Sequence, residues 1–266
     1  MKFKVNAIKY IKFVFFVFLV FAGCTGETGP TGPEGEEGLP GPKLKGNLSG
    51  FIFLLNVNGE NLPPSKLASI SIEGTNIIVN CDSTGRWQVD SLETGTYNLI
   101  FKMNDFGTYV KKSFQFIGGG DVFYGKVTLG KIPEFFVESM NVIYDFGLQQ
   151  VVLSGIISAP PPQNQNSFLM IFAGIDTLVS SNPENFLYEN NSYTGTTSFT
   201  ISISVNELLS AGFSRASKVF FRAYGSSYLS YYGGIEGGYY TDPKTGRNVY
   251  TSLSLQKSPV VSITLP

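Results

Sequence analysis

The sequence predicts an all-β protein built as two tandem antiparallel β-sandwiches behind a signal segment and an extended spacer. Three observations predict it. Apolar and polar residues alternate with period two in short runs between Leu48 and Leu265, the pattern of strands with one face on a core. Turn residues, drawn from 30 Gly and 14 Pro, interrupt those runs about every 8–12 positions, as in a sandwich. The chain is 42% hydrophobic and 14% aromatic but only 15% charged, against roughly 25% in an average soluble protein. With 266 residues it has material for one large or two ordinary cores.

The amino terminus reads as an address. Met1–Lys12 hold four lysines and no acid, and Phe13–Ala22 is a ten-residue apolar run followed by Gly23 and Cys24. A basic stretch, a short apolar stretch and small residues at a cleavage point describe a secretory signal. Ten helical residues are too short for a hydrocarbon layer of roughly 30 Å. The stretch Val20–Cys24 (VFAGC) resembles the lipobox of bacterial lipoproteins, with Phe21 where the family usually has Leu. The resemblance implies cleavage after residue 23, a diacylglyceryl thioether on Cys24 and a partner in the lipid bilayer. Two or three acyl chains anchor stably where one binds marginally.

Residues 24–45 read as spacer. Gly26–Lys43 is six triplets that each begin with Gly (GET GPT GPE GEE GLP GPK). This resembles collagen, in which only Gly fits the crowded axis. The alternative is a solvated polyproline-II-like stalk, about 50 Å long at roughly 3 Å per residue. Similar runs after the cysteine occur in lipoproteins of the Bacteroidota type, which implies the outer membrane, facing the cell surface or the periplasm.

The first globular segment, 46–132, contains strand runs at Leu48–Leu55, Ser69–Ile72, Ile77–Val79, Arg86–Val89, Thr96–Phe101, Val110–Ile117 and Val122–Leu129. Pro63 and Pro64 forbid helix between the first two. Three pieces, Ile70–Thr75, Asp82–Trp87 and Leu92–Tyr97, resemble the carboxypeptidase regulatory-like, transthyretin-like domain. The resemblance implies a turn at Gly85, Trp87 in the core and Tyr97 packed on the opposite sheet. Asp82 reads as a turn residue, since a lone acid in a hairpin turn usually is one.

The second segment, 133–266, restarts at Phe135–Val137 and carries strand runs at Val151–Ile157, Ser167–Ala173, Ser198–Val205, Lys218–Tyr224, Val249–Leu255 and Val260–Leu265. Asn206–Gly212 reads as a short helix capped by Asn206 and ended by Gly212. Val219–Tyr224 (VFFRAY) resembles the penultimate strand of fibronectin type III-like modules, which implies an Ig-like sandwich.

Candidate binding residues lie between Tyr224 and Tyr250. Tyr228, Tyr231, Tyr232, Tyr239 and Tyr240 stand there among Gly233, Gly234, Gly237, Gly238 and several serines. Tyrosine offers rigid amphipathic contact area and Ser/Gly lets a loop adapt, the composition of binding loops. Sugar-binding surfaces use tyrosine faces in the same way. The alternative reading is a hairpin whose rings cover a sheet or pack on the first segment.

Composition excludes several chemistries. The chain has no His, so a Ser-His-Asp triad is excluded and the commonest metal ligand is missing. No catalytic residue, metal site or cofactor is expected. The acids Glu73, Asp82, Asp90, Glu93, Asp105 and Asp121 are scattered beside turns, and no pair stands out for glycan hydrolysis. Asp242 lies in a turn with too few acids nearby for a calcium shell. Cys81 is expected to be a small buried hydrophobe. Subtracting the four leader lysines from 19 basic residues leaves 15 against 20 acids, near −5, and no basic patch suggests nucleic acid. The expected role is therefore a non-catalytic binding or scaffold module with a glycan or envelope-protein partner. The alternatives are an accessory subunit of an outer-membrane transport or secretion assembly and, less favoured, a glycan-active enzyme.

Overall fold

Alternation along the first strand decides which way its side chains point. In β1 (Lys45–Leu55), Leu48, Ile52 and Leu54 are buried while Phe53 points outward. The computed structural model describes Gly29, Gly41 and Lys43–Pro266. The leader, Cys24 with its expected lipid, and the rest of the spacer lie outside the described residues.

The first sandwich has two four-stranded sheets. In one, β2 (Asn61–Leu62) and β5 (Arg86–Glu93) flank β1 on one side and β8 (Asp121–Gly130) lies on the other. In the other, the order is β4 (Ile78–Asn80), β3 (Ser69–Ile72), β6 (Gly95–Lys102) and β7 (Tyr109–Phe116). Trp87, Phe101 and Phe116 fill the space between them, with Leu48, Ile52, Ile70, Leu99 and Leu129. One pair departs from the antiparallel expectation: β1 and β8 run parallel. Parallel neighbours need a crossover, and the whole second sheet supplies it.

The regulatory-like motifs fall as expected in part. Gly85 takes the turn with φ +82°, Asp82 Oδ1 accepts from the Thr84 and Arg86 amides, and Trp87 is buried. Tyr97 stays half-buried at the margin of the core, its hydroxyl turned back to donate to the Glu93 carbonyl at 2.9 Å. A β-bulge at Ser91 (φ +54°), whose amide donates to Asn47 Oδ1, returns Leu92 to the inside. Cys81 is buried and free; burial first, then Asp82, pushes its thiol up to about 11.

The second sandwich packs a three-stranded sheet on a five-stranded one. The first is β13 (Ser198–Ser204), β10 (Gln150–Ile157) and β9 (Val137–Asp145). The second is β12 (Tyr188–Thr194), β11 (Ser167–Gly174) and β14 (Lys218–Ser226), with β17 (Leu253–Lys257) and β18 (Val261–Thr264) sharing the far edge of β14. Every residue of β11 is buried. Its Leu169, Ile171 and Ala173 face the inter-sheet core. Met170 and Phe172 face a further cluster with Val179, Phe186, Tyr224 and Leu253. Two covered faces explain why this strand reads as a continuous apolar run.

Several sequence expectations change here. The helix is α1 (Val205–Ser210), and Ser204, not Asn206, caps it. Ser204 Oγ accepts from the Asn206 amide at 3.2 Å, and Glu207 Oε2 accepts from the Ser204 amide at 2.9 Å. That reciprocal capping box satisfies two otherwise orphaned donors, which Asn206 placed inside the helix does not. Val249–Leu255 is not one strand but β16 (Asn248–Tyr250) and the start of β17, split at Thr251–Ser252 where both residues bond across the junction. β14 is central rather than penultimate, because β15 (Tyr239–Thr241), β16, β17 and β18 follow it. Sequence reading missed β2, β9 and β12, and offered β15 only within the alternative hairpin, which β15 and β16 form.

Candidate functional site

The tyrosine-rich stretch divides into two parts with different surroundings. Residues Tyr228–Tyr232 form one helical turn, α2. Ser227 Oγ accepts from the Ser230 amide at its start, and Gly233 closes it in the left-handed conformation at φ +58°. Tyr228 anchors α2 to the first sandwich by donating its amide to the Val57 carbonyl at 2.8 Å. Its ring lies over Gly59, where a Cβ would stand 2.5 Å from Tyr228 Cδ1. Asn191 of β12 donates to the Tyr231 carbonyl at 2.9 Å and holds the other end.

The rings of α2 stack as a group. Tyr228 and Tyr232 are 4.4 Å apart between centroids, and Tyr231 and Tyr232 are 4.9 Å apart. Phe168 of β11 lies 4.8 Å from Tyr231 and 5.7 Å from Tyr228, and Tyr193 of β12 closes the row at 6.1 Å from Tyr231. Tyr232 and Tyr193 remain 59% and 57% exposed. Burial first, then the Tyr232 and Tyr193 hydroxyls, raise the Tyr231 hydroxyl above its ordinary pKa.

A cleft of about 340 Å³ runs beside these rings. Asn58 and Glu60 from the first sandwich form one wall, and Gln165 and Asn166 stand with Phe168 and the tyrosines on the other. Gln165 Nε2 reaches Glu60 Oε1 at 3.3 Å, and Asn56 donates to the other Glu60 oxygen at 2.6 Å. Amide and carboxylate groups are thereby fixed next to ring faces. Such a surface offers apolar stacking and directional hydrogen bonds together.

The rest of the stretch is spent on holding the sandwiches together. Glu236 Oε1 accepts from Tyr109 Oη at 3.1 Å, from Lys111 Nζ at 3.2 Å and from Tyr124 Oη, all on the first sandwich. Burial first, then Glu236, raises the pKa of both tyrosine hydroxyls. The Glu236 carbonyl accepts from the Thr128 amide at 2.9 Å. Gly237, at φ +123°, passes so close to Thr128 that a Cβ would sit 1.7 Å from its carbonyl oxygen. Tyr240 packs edge-on against Tyr109, 6.3 Å between centroids, at the margin of the first core. Tyr239 stacks on Tyr250 and under Gly233. Beneath α2 the fully buried Ser227, Ser230 and Ser252 bond to one another and to Gly130 and Gly238.

Of the five candidates, then, Tyr228 and Tyr232 line the cleft, Tyr231 packs beside it on Phe168 and Tyr193, and Tyr239 and Tyr240 lie elsewhere. The sequence reading missed Tyr193, Phe168, Asn58, Glu60, Gln165 and Asn166. Tyr188–Thr194 (YENNSYT) carries no period-two apolar pattern that would have marked a strand there. Among the described residues no three His, Cys, Asp or Glu side chains gather to hold a metal ion. None of the helices described is long and apolar enough to cross a membrane.

Fold and cleft define an all-β, two-sandwich chain with an aromatic, amide-lined cleft where the sandwiches meet. Solved structures with a similar chain course include a candidate carbohydrate-binding protein from Bacteroides uniformis, 18% identical, covering 84% of this chain and 100% of that one at a TM-score of 0.32. Two proteins of the DUF3823 family show TM-scores of 0.28. That from Parabacteroides merdae is 14% identical over 84% of this chain and all of its own. That from Bacteroides uniformis is 13% identical over 85% of this chain and all of its own. No protein-family description matches the chain, and no curated protein matches it.

Proposed function

We propose that this chain is a non-catalytic, glycan-binding lipoprotein of the bacterial outer membrane, lipidated on Cys24 and taking its ligand at the α2 cleft. The single observation that carries the glycan reading is the pairing of exposed tyrosine faces with fixed polar groups. Tyr193 and Tyr232 present rings, and Glu60, Gln165 and Asn166 present hydrogen-bonding groups within one cleft. Sugars offer a CH face and ring hydroxyls together, and this surface matches both. The anchor reading is supported by sequence: the lysines of Met1–Lys12, the apolar run Phe13–Ala22 and VFAGC at positions 20–24.

The glycan test is affinity electrophoresis in gels containing laminarin, xylan, mannan or homogalacturonan. Retardation by one of them is expected. Tyr193→Ala with Tyr232→Ala should abolish it while leaving the thermal midpoint unchanged, because both rings are exposed. Absence of retardation by any of the four, or retardation untouched by the double substitution, overturns the site. The anchor test is mass spectrometry of the mature protein, which should show an acylated N-terminal cysteine; a free amino terminus without acyl chains overturns the anchor.

A further inference from the structure

We infer that the binding surface continues past α2 into a groove crossing both sandwiches, and that its ligand is an extended oligosaccharide chain; this rests on the glycan reading of the α2 cleft. A second cleft, of about 430 Å³, is lined in part by residues 234–236, the chain that follows the same turn. Phe53, Asn61, Lys126, Ile235 and Glu236 are among its walls.

The two clefts share their walls by chain continuity. Glu60 lines the first and Asn61, the next residue, lines the second. Tyr232 lines the first and Gly234, two residues on, lines the second. The two clefts are thus separated by one step of chain along the first wall and two along the second.

The chemistry also repeats. Phe53 is 43% exposed and faces Lys126, whose Nζ lies 5.7 Å from the ring centroid. Lys126 makes no ion pair among the described residues, so its three donors are open to a ligand. Beyond Phe53 the outer face of the first sandwich carries Phe51 at 6.3 Å and then Phe123 at 6.1 Å, the latter 65% exposed. On the neighbouring strand Arg86 stands opposite Phe51 and Gln88 opposite Ser49. Arg86 donates to Gln88, and Gln88 donates to Asp90. Ring faces and polar groups thus stand together in the first cleft, in the second and along the outer face from Phe53 to Phe123.

This arrangement fits a polymeric sugar better than an extended peptide. A peptide adds to a sheet through unpaired backbone groups. On β8 the backbone at the groove is already occupied, since the Thr128 amide donates to the Glu236 carbonyl. Side chains and rings, not strand edges, are what the groove offers. Glu236 is itself held by three donors and forms a fixed wall.

The test is calorimetry with size-fractionated laminarin, xylan, mannan and homogalacturonan oligosaccharides, from disaccharide to decasaccharide. For the series that binds, affinity should climb by about tenfold or more from short to long chains, as further anchors engage. Phe53→Ala with Lys126→Ala should return the long chain to short-chain affinity and leave the short chain unaffected. Lys126→Ala alone should give part of that loss. Tyr193→Ala with Tyr232→Ala should weaken both lengths. An affinity that levels off by the trisaccharide, or a long-chain affinity that survives the Phe53 and Lys126 substitutions, overturns the groove and leaves the tyrosine cleft standing. If no oligosaccharide of any length binds, the glycan reading falls and the groove with it.

Discussion

Two halves of one tyrosine-rich stretch meet opposite fates. Tyr228 and Tyr232 line an open cleft, and Tyr232 leaves 59% of its surface to solvent. A few residues on, Glu236–Tyr240 are pressed onto the first sandwich by hydrogen bonds to Tyr109, Tyr124, Lys111 and Thr128. Both halves end in a tyrosine pair, Tyr231–Tyr232 and Tyr239–Tyr240. The difference lies in what the other sandwich places opposite each: turn residues Asn58 and Glu60 at the first half, buried hydroxyls and a strand backbone at the second. A tyrosine pair therefore lines an open cleft or builds an internal clamp according to what it faces.

The comparison breaks most sharply at Gly237. Gly237→Ala puts a methyl into the Thr128 carbonyl at a positive φ, and a destabilisation of about 3 kcal/mol is expected. Trp87 is the chain's one tryptophan and sits in the first core. Urea unfolding followed by its fluorescence should therefore separate from unfolding followed by circular dichroism in this variant, while the two coincide in the parent. Coincident, unshifted transitions in the variant would refute the clamp.

Next is Glu236→Ala, which leaves the Tyr109 and Tyr124 hydroxyls without their acceptor. A loss of about 2 kcal/mol is expected from buried donors left unpaired. The same denaturation curves measure it.

A smaller effect comes from alkali. The Cys81 thiol is raised from 9.0 to about 11, mainly by burial, and burial and Glu236 raise Tyr109 and Tyr124 as well. Each raised group holds its proton more tightly in the folded chain. The Cys81 contribution is thus complete below pH 9 and is lost as pH climbs through about 11, while that of the two tyrosines starts to fall only near 10 and goes on falling above that window. Stability measured from pH 8 upward should fall across that window, and thiol labelling of Cys81 should follow global unfolding. The smallest expected effect is Tyr232→Ala, within about 0.5 kcal/mol of the parent in stability, because the ring is largely exposed. A larger loss would move Tyr232 from the cleft to the clamp.

Much of the fold was legible in the sequence because strands and turns are local. Ser198–Ser204 alternates strictly, with Phe199, Ile201 and Ile203 inward, and the Asp82–Gly85 turn closes on its own side chain and backbone. The missed strand Tyr188–Thr194 (YENNSYT) carries almost no apolar signal; it is held by a ladder to β11. Val137–Asp145 reads poorly for a similar reason, since Glu138, Ser139, Asn141 and Ile143 face outward. The site was half legible: its tyrosines announced themselves by composition, whereas Asn58, Glu60 and Gln165 look like ordinary turn residues until the second sandwich stands beside them.

By itself the sequence determined the all-β class, the burial of Cys81 and the neighbourhood in which to seek a site. Each follows from periodicity, turn chemistry or composition within a few residues. Tertiary structure decided which tyrosines face solvent and which are locked away. Tyr109 and Tyr124 meet Glu236 across 127 and 112 positions of chain, and no local pattern encodes a hydrogen bond that forms only after two separate cores have packed.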